Sequence, residues 1–252
     1  MTSSTDVSTP PFEWDDDGRR IGLPVVPMEV HPPAEQSMGG RYVTLDPLDA
    51  RAHAAPLWNA YRGFDELWTY MPHGPFAGES DYGEWIETVQ HRSDPLFFAI
   101  TDRGSGQAQG VASYLRIDTQ ARSIEVGWIT LAPVLQGTRG STEAMYLMMR
   151  TAFDLGFRRY EWKCNALNDP SIRAARRLGM TYEGTFRQAT VVKGRNRDTA
   201  WFSLLDTEWP SARREFERWL DPGNFDAAGR QLTPLQVGSG LGREAPPPQF
   251  HP

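Results

Sequence analysis

Between residues 123 and 155 a strand-like run, a glycine-containing turn and an amphipathic helix follow one another directly. The strand is predicted over Ser123–Thr130 and is stopped by Pro133. The helix is predicted over Thr142–Leu155, where Ala144, Leu147, Met148, Ala152 and Leu155 recur at three- and four-residue intervals as a stripe to be buried. Gly156 closes it. The joint between them, Gln136-Gly137-Thr138-Arg139-Gly140-Ser141-Thr142-Glu143, constrains the chain most. A strand that runs into a helix aims the free N–H groups of the first turn, and the helix dipole, at one spot above the sheet. Glycine there lets an anion approach the backbone, which suits a pyrophosphate. A turn with no ligand is the alternative. The spacing matches neither a Walker P-loop nor a dinucleotide fingerprint. Glu143 reads as a first-turn glutamate favoured by the dipole.

The flanking sequence alternates in type. Arg41–Leu45 is a short strand broken by Pro47, and Asp49–Tyr61 has helical character. Residues 62–78 form an aromatic loop, and a second helix spans Ser80–His91 with Trp85, Ile86 and Val89 on one side. Three strands, Leu96–Thr101, Gly110–Ile117 and Ser123–Thr130, are joined by short polar connections that suit hairpins. After the 142–155 helix comes a strand at Arg159–Lys163. A helix follows, with Asp169 as a cap, Pro170 in its first turn and Gly179 at its end. Strands Tyr182–Val192 and Ala200–Asp206 flank the basic turn Lys193–Arg197. An α/β or α+β domain with a mixed sheet follows from this order.

We expect a folded domain over 41–220. Residues 1–40, rich in Pro, Ser, Thr and acidic side chains, form an arm that is loose or packed on the surface. Residues 221–252, with six prolines and five glycines, read as a tail. The N-terminus shows no basic and apolar signal regions, and no apolar run could span a bilayer, so a soluble cytoplasmic protein is expected. A net charge of −6 and the lack of a basic stripe argue against nucleic acid as a partner. One cysteine, Cys164, and five scattered histidines point to no disulfide framework and no metal.

The downstream segments Tyr160-Glu-Trp-Lys-Cys-Asn-Ala-Leu-Asn168, Ser171, Arg176-Arg-Leu-Gly-Met-Thr-Tyr-Glu-Gly184, Lys193–Arg197 and Asp198-Thr-Ala-Trp-Phe-Ser203 follow the 136–144 joint in order. Together they resemble the GNAT superfamily of acyl-CoA-dependent N-acyltransferases, in the branch similar to ribosomal-protein N-acetyltransferases. The resemblance covers roughly residues 41–210 and is densest over 123–206. It implies the GNAT fold, a mixed central sheet whose 123–131 and 159–163 strands splay apart, flanked by helices. Acetyl-CoA, or another acyl-CoA, would be the co-substrate, with its pantetheine on the first strand. Gln136, Gly137, Thr138, Arg139, Gly140, Ser141, Thr142 and Asn168 would bind it. The acceptor would be a primary amine, on a small molecule or a protein N-terminus, with a homodimer allowed and no membrane involved.

Two departures from the family pattern stand out. Arg139 and Ser141 occupy positions usually held by small residues, so the Arg139 side chain either crowds the pyrophosphate or pairs with it. Ala175 falls where many members place an acidic tyrosine, which leaves Ser171 as the candidate proton donor to the departing thiolate. Glu125, opposite in facing to Ile124 and Val126, is the candidate base. Cys164 reads as a buried small residue. Trp58, Tyr61, Trp68, Tyr70 and Trp85 are candidates for the acceptor wall, with packing of the early helices as their other role. Lys193–Arg197 reads as a solvated hairpin tip, with contact to an anionic acceptor as its other role, and the acidic balance gives a weak bias towards cationic acceptors. Two rival functions stay open: a noncatalytic acyl-CoA-binding or regulatory protein, and an amide-forming enzyme with another acyl donor.

Overall fold

The computed structural model describes residues 12–238. Strands β1 (Phe12–Trp14) and β2 (Arg20–Gly22) form a small separate ribbon. Then follow β3 (Met38–Gly39), β4 (Val43–Pro47), α1 (Ala50–Tyr61), α2 (Glu79–Val89), β5 (Leu96–Asp102), β6 (Ala108–Asp118), β7 (Ser123–Leu131) and α3 (Arg139–Asp154). The chain continues through β8 (Arg159–Asn165), α4 (Asp169–Arg177), β9 (Thr181–Val192), β10 (Arg195–Leu205) and α5 (Trp209–Trp219). Eight strands form one sheet in the order β3-β4-β5-β6-β7-β8-β10-β9.

Strand alternation feeds two cores. Phe98, Ile100, Ile124, Val126 and Tyr160 join α3, α4 and α5 on one face. Phe97, Ala99 and Val111 meet α1 and α2 on the other. The continuous apolar run 96–100 is thus a strand buried on both sides.

The β7–β8 pair is parallel, and every other pairing in the sheet is antiparallel. Their register runs from Ser123↔Arg159 to Val126↔Trp162 and stops, although both strands continue. The cause lies on the far side of β7. Gly127 pairs with Ser113 and Thr130 with Val111, so Trp128 and Ile129 together oppose one residue of β6. Trp128 takes a left-handed backbone (φ 51°) to form this bulge. A bulge bends its strand, and here the bend carries β7 away from β8 and opens a cleft.

Several expectations shift. Helix α3 begins at Arg139 rather than Thr142, because Thr138 caps it by accepting the Ser141 N–H at 3.2 Å. Gly140 lies inside the helix as a contact point: a Cβ there would be 3.1 Å from Val43 Cγ1 and 3.2 Å from Leu135 Cδ1. Asn196 and Arg197 belong to β10, which leaves a tighter turn at Lys193 and Gly194. Helix α5 was absent from the sequence reading, yet Trp209, Ala212, Phe216 and Trp219 make its buried stripe. The boundaries at 40 and 221 also move. Val30 and Met38 are buried in the larger core. Asn224 bonds to the carbonyls of Trp219 (3.0 Å) and Thr233 (3.1 Å), and Val237 fills the space above Gly179. One buried amide side chain with a few apolar contacts holds a Pro- and Gly-rich segment that composition alone reads as tail. Residues 1–11 and 239–252 of the arm and tail lie outside the described residues.

Candidate active site

Parallel pairing of β7 with β8 sets Glu125 directly beside Glu161, two carboxylates on one sheet face. Like charges so placed need a cation between them. Lys163, two residues along the same face, supplies it: its Nζ lies 2.9 Å from Glu125 Oε2 and 2.7 Å from Glu161 Oε2. The lysine and Glu125 side chains are only 5% and 4% exposed. The ammonium also sits 3.7 Å from the ring centre of Trp201. Arg116 Nη1 reaches the same Glu125 oxygen at 2.5 Å. Glu125 Oε1 meets no donor among the described residues. On the Glu161 side the chain of charges continues through Arg159 to Glu183. Burial works to raise the Glu161 pKa, but Lys163 and Arg159 outweigh it and hold the carboxyl below its ordinary range.

The cleft left by the splay encloses about 240 Å³. Glu125, Gly127, Trp128 and Ile129 line one wall, with Trp162–Asn165 on the other; Asn168, Ser171 and Arg197 close the end. Asn168, not Asp169, caps α4: its side chain accepts the Ser171 N–H at 3.2 Å, and Asp169 is the first residue of the helix. Ser171 Oγ accepts from Trp162 Nε1 at 2.9 Å, and its own proton finds no oxygen acceptor among the described residues. Burial pushes the Cys164 thiol up, with a hydrogen bond from Ser171 acting the other way, which fits a buried small residue better than a nucleophile. Ala175 is fully buried.

At the start of α3, the N–H groups of Gly137, Arg139 and Gly140 have no acceptor among the described residues. They are the free donors of the helix N-terminus, and Thr138, Ser141 and Thr142 surround them with hydroxyls engaged in capping. Gln136 turns back to the Leu131 carbonyl (2.9 Å). The Arg139 guanidinium lies over Tyr42 at 4.3 Å and near Phe225 at 5.5 Å.

Glu143 does more than answer a dipole. Its carboxylate accepts the N–H groups of Arg41 (2.7 Å), Tyr42 (2.6 Å) and Val43 (2.9 Å) and so pins the start of β4 to α3. Gly40 leaves room for it, since a Cβ there would lie 2.4 Å from Oε2. We expect Glu143→Ala to orphan these three donors and lower the unfolding free energy by about 3 kcal/mol, at about 1 kcal/mol per lost bond. Urea denaturation measures this; a loss below about 1 kcal/mol would mean that water replaces the carboxylate.

Of the five aromatic wall candidates, only Tyr70 lines the cleft. Its hydroxyl donates to the Leu167 carbonyl at 2.9 Å and ties the aromatic loop across the splay. Tyr61 and Trp68 are buried in the smaller core, with Trp58 and Trp85 packed against it. Burial raises the Tyr61 phenol far above its ordinary value, and its proton goes to the Thr130 carbonyl. Aromatic residues at helical spacing thus became core because α1 and α2 have no other apolar face to offer the sheet.

His73 is stacked between Trp85 (4.4 Å) and Trp128 (5.0 Å), where burial and, less, Lys193 lower its pKa to about 4. The unfolded chain takes up that proton near 6.5, so stability should fall as pH drops from 6.5 towards 4. The loss from this residue is at most about 3 kcal/mol, and a His73→Phe variant should show a flatter profile across that window. An unchanged profile would remove His73 as its source.

The sequence reading missed Lys163 and Arg116, and for Lys193–Arg197 it favoured a solvated hairpin tip over contact with an anionic acceptor. Lys163 had a signal in Glu161-x-Lys163, a charged pair on one face of a strand with Glu125 on its neighbour. Arg116 had none, and nothing local decided between the two roles of Arg197, because their approach depends on how β6 and β10 flank the splay.

The family model for the acetyltransferase (GNAT) domain matches residues 43–181. The chain is similar to the structure of a GCN5-related N-acetyltransferase from Brucella melitensis. They share 43% identity and a TM-score of 0.80 over 82% of this chain and 95% of that one. It is 28% identical to the uncharacterized N-acetyltransferase p20 of Bacillus licheniformis over 148 residues, 57% of this chain and 83% of p20. The microcin C7 self-immunity acetyltransferase MccE, in complex with acetyl-CoA and AMP, has the same fold. It has 23% identity and a TM-score of 0.59 over 66% of this chain and 93% of MccE.

Proposed function

This chain belongs to the GNAT acetyltransferase family, and from that premise we propose that it acetylates a primary amine by direct attack on the thioester of acetyl-CoA. The observation that carries this reading is the cleft between β7 and β8, which gathers a carboxylate with a free oxygen and the Ser171 hydroxyl. Acetyl-CoA would extend from the free N–H groups at Gly137, Arg139 and Gly140 into the splay, where the β7 backbone beyond Val126 has lost its β8 partner. Asn168 supports the site by holding Ser171 in place.

In this mechanism the amine gives up a proton to Glu125 Oε1, directly or through a water. Its lone pair then attacks the carbonyl carbon, and the C–N bond forms as the C–S bond breaks. The thiolate leaves with the Ser171 proton, and the second proton, shed by the nitrogen as it becomes an amide, returns to the serine through solvent. Holding amine and thioester in a narrow cleft supplies much of the rate, and proton transfer a further part.

Calorimetric titration with acetyl-CoA, desulfo-CoA and adenosine diphosphate tests the donor site. CoA-specific binding, weaker for the diphosphate, is the expected result, followed by thiol release when amines are added. Failure of every CoA ligand to bind would sink the reading. Binding without thiol release from any primary amine would turn it into a noncatalytic one.

A further inference from the structure

We propose that Arg197 recognises the acceptor, and that the amine this enzyme takes carries a carboxylate close to the reacting nitrogen. This rests on the acetyl-transfer reading and says which amines the same cleft accepts.

Charge around the cleft is uneven. Its lining holds three cationic side chains, Arg116, Lys163 and Arg197, against one carboxylate, Glu125. Arg116 is used by Glu125, and Lys163 is shared between Glu125 and Glu161. Arg197 has no carboxylate within 4 Å among the described residues, and its buried Nε has no hydrogen-bond partner. The neighbouring Asp198 forms no ion pair with it and instead accepts the Gln188 N–H (2.7 Å) and Asn196 Nδ2 (2.9 Å) at Oδ1. Lys193, at the hairpin tip, donates to the Trp68 carbonyl at 2.8 Å. Half-burying a guanidinium with no anion in contact is unfavourable, and burial pushes Arg197 below its ordinary pKa despite the more distant attraction of Glu125. Such a group is kept where a ligand completes it.

The donor's phosphates are not that ligand. Residues 136–142, where they would sit, contribute nothing to the cleft lining that holds Arg197. An acceptor without an anion fits poorly as well, since its ammonium would enter a space already in positive excess. A carboxylate offsets that excess and matches the planar fork of a guanidinium. The chain's net charge of −6 pointed the other way, but a site responds to the charges a few ångströms from it.

The test is a panel of free amino acids with small, branched and aromatic side chains, each beside its carboxamide, followed by thiol release with acetyl-CoA. The carboxamide has the less basic amine, so intrinsic reactivity at neutral pH works against the expected result. We expect kcat/KM to favour the acid by roughly 10- to 100-fold, the worth of a charged hydrogen-bonded pair. In Arg197→Gln that ratio should fall towards one, with partial recovery in Arg197→Lys and no change in CoA affinity. Equal use of acid and amide, an unchanged ratio in Arg197→Gln, or a loss of CoA affinity in that variant would each overturn the proposal. Should CoA fail to bind at all, the acetyl-transfer reading falls separately. Titration of the wild-type chain with N-acetyl amino acids and their amides then still decides for or against the Arg197 site, because no preference for the acid rejects it.

Discussion

Lys163→Met should lower the unfolding free energy by about 3–5 kcal/mol, the largest effect we expect from one substitution. Methionine nearly matches the stem in volume, so packing survives while the ammonium goes. What remains are Glu125 and Glu161, paired in register and withdrawn from water. Arg116 and Arg159 can each answer one of them from the outside, but neither fills the space between. The Trp201 ring also loses the cation it faces. Urea unfolding followed by tryptophan fluorescence measures the change. Acid should rescue the variant, since protonating one carboxyl removes the repulsion, whereas a variant weakened by packing alone would gain nothing as pH falls. A loss under about 1 kcal/mol would show that water enters between the strands and screens the pair.

Glu125→Gln should lower turnover by roughly 10²- to 10⁴-fold, the range that a positioned base supplies. Acetyl-CoA affinity should stay nearly the same, because the free N–H groups of α3 that would hold the donor lie outside the Glu125 pocket wall. Glutamine keeps the shape and an oxygen for Arg116 or Lys163, but it cannot take a proton at Oε1. The variant must first be shown folded, since it also removes a charge from the Arg116–Glu125–Lys163–Glu161 chain. Kinetics indistinguishable from wild type on folded protein would remove Glu125 as the base and leave it as part of the ionic scaffold.

Local signals were legible in the chain because they are short in range. The 144/147/148/152/155 stripe, the Pro170 helix start, the hairpin connections and the glycine-containing joint each depend on residues within one or two turns. Those signals, in order, suffice for the mixed sheet and for the family. Helix α5 was legible too, in the spacing of Trp209, Ala212, Phe216 and Trp219, but its Arg- and Glu-rich sequence hid an apolar stripe only four residues strong. The same local logic misread the residues after 220, where one buried asparagine outweighs composition.

The tertiary structure alone decided which polar residues meet. Glu143 is an ordinary helix glutamate until β4 lays three N–H groups against it. Arg197 looks like a hairpin-tip cation until β10 is seen to carry it to the end of the cleft, 72 residues from Glu125 in sequence. The aromatic residues of α1 and its loop look like a ligand wall until the sheet closes over them. Apolar periodicity is written along the chain because each residue meets the same kind of neighbour wherever it is buried. The partners of a buried charge are specific, and they come from strands whose order and splay no local pattern records.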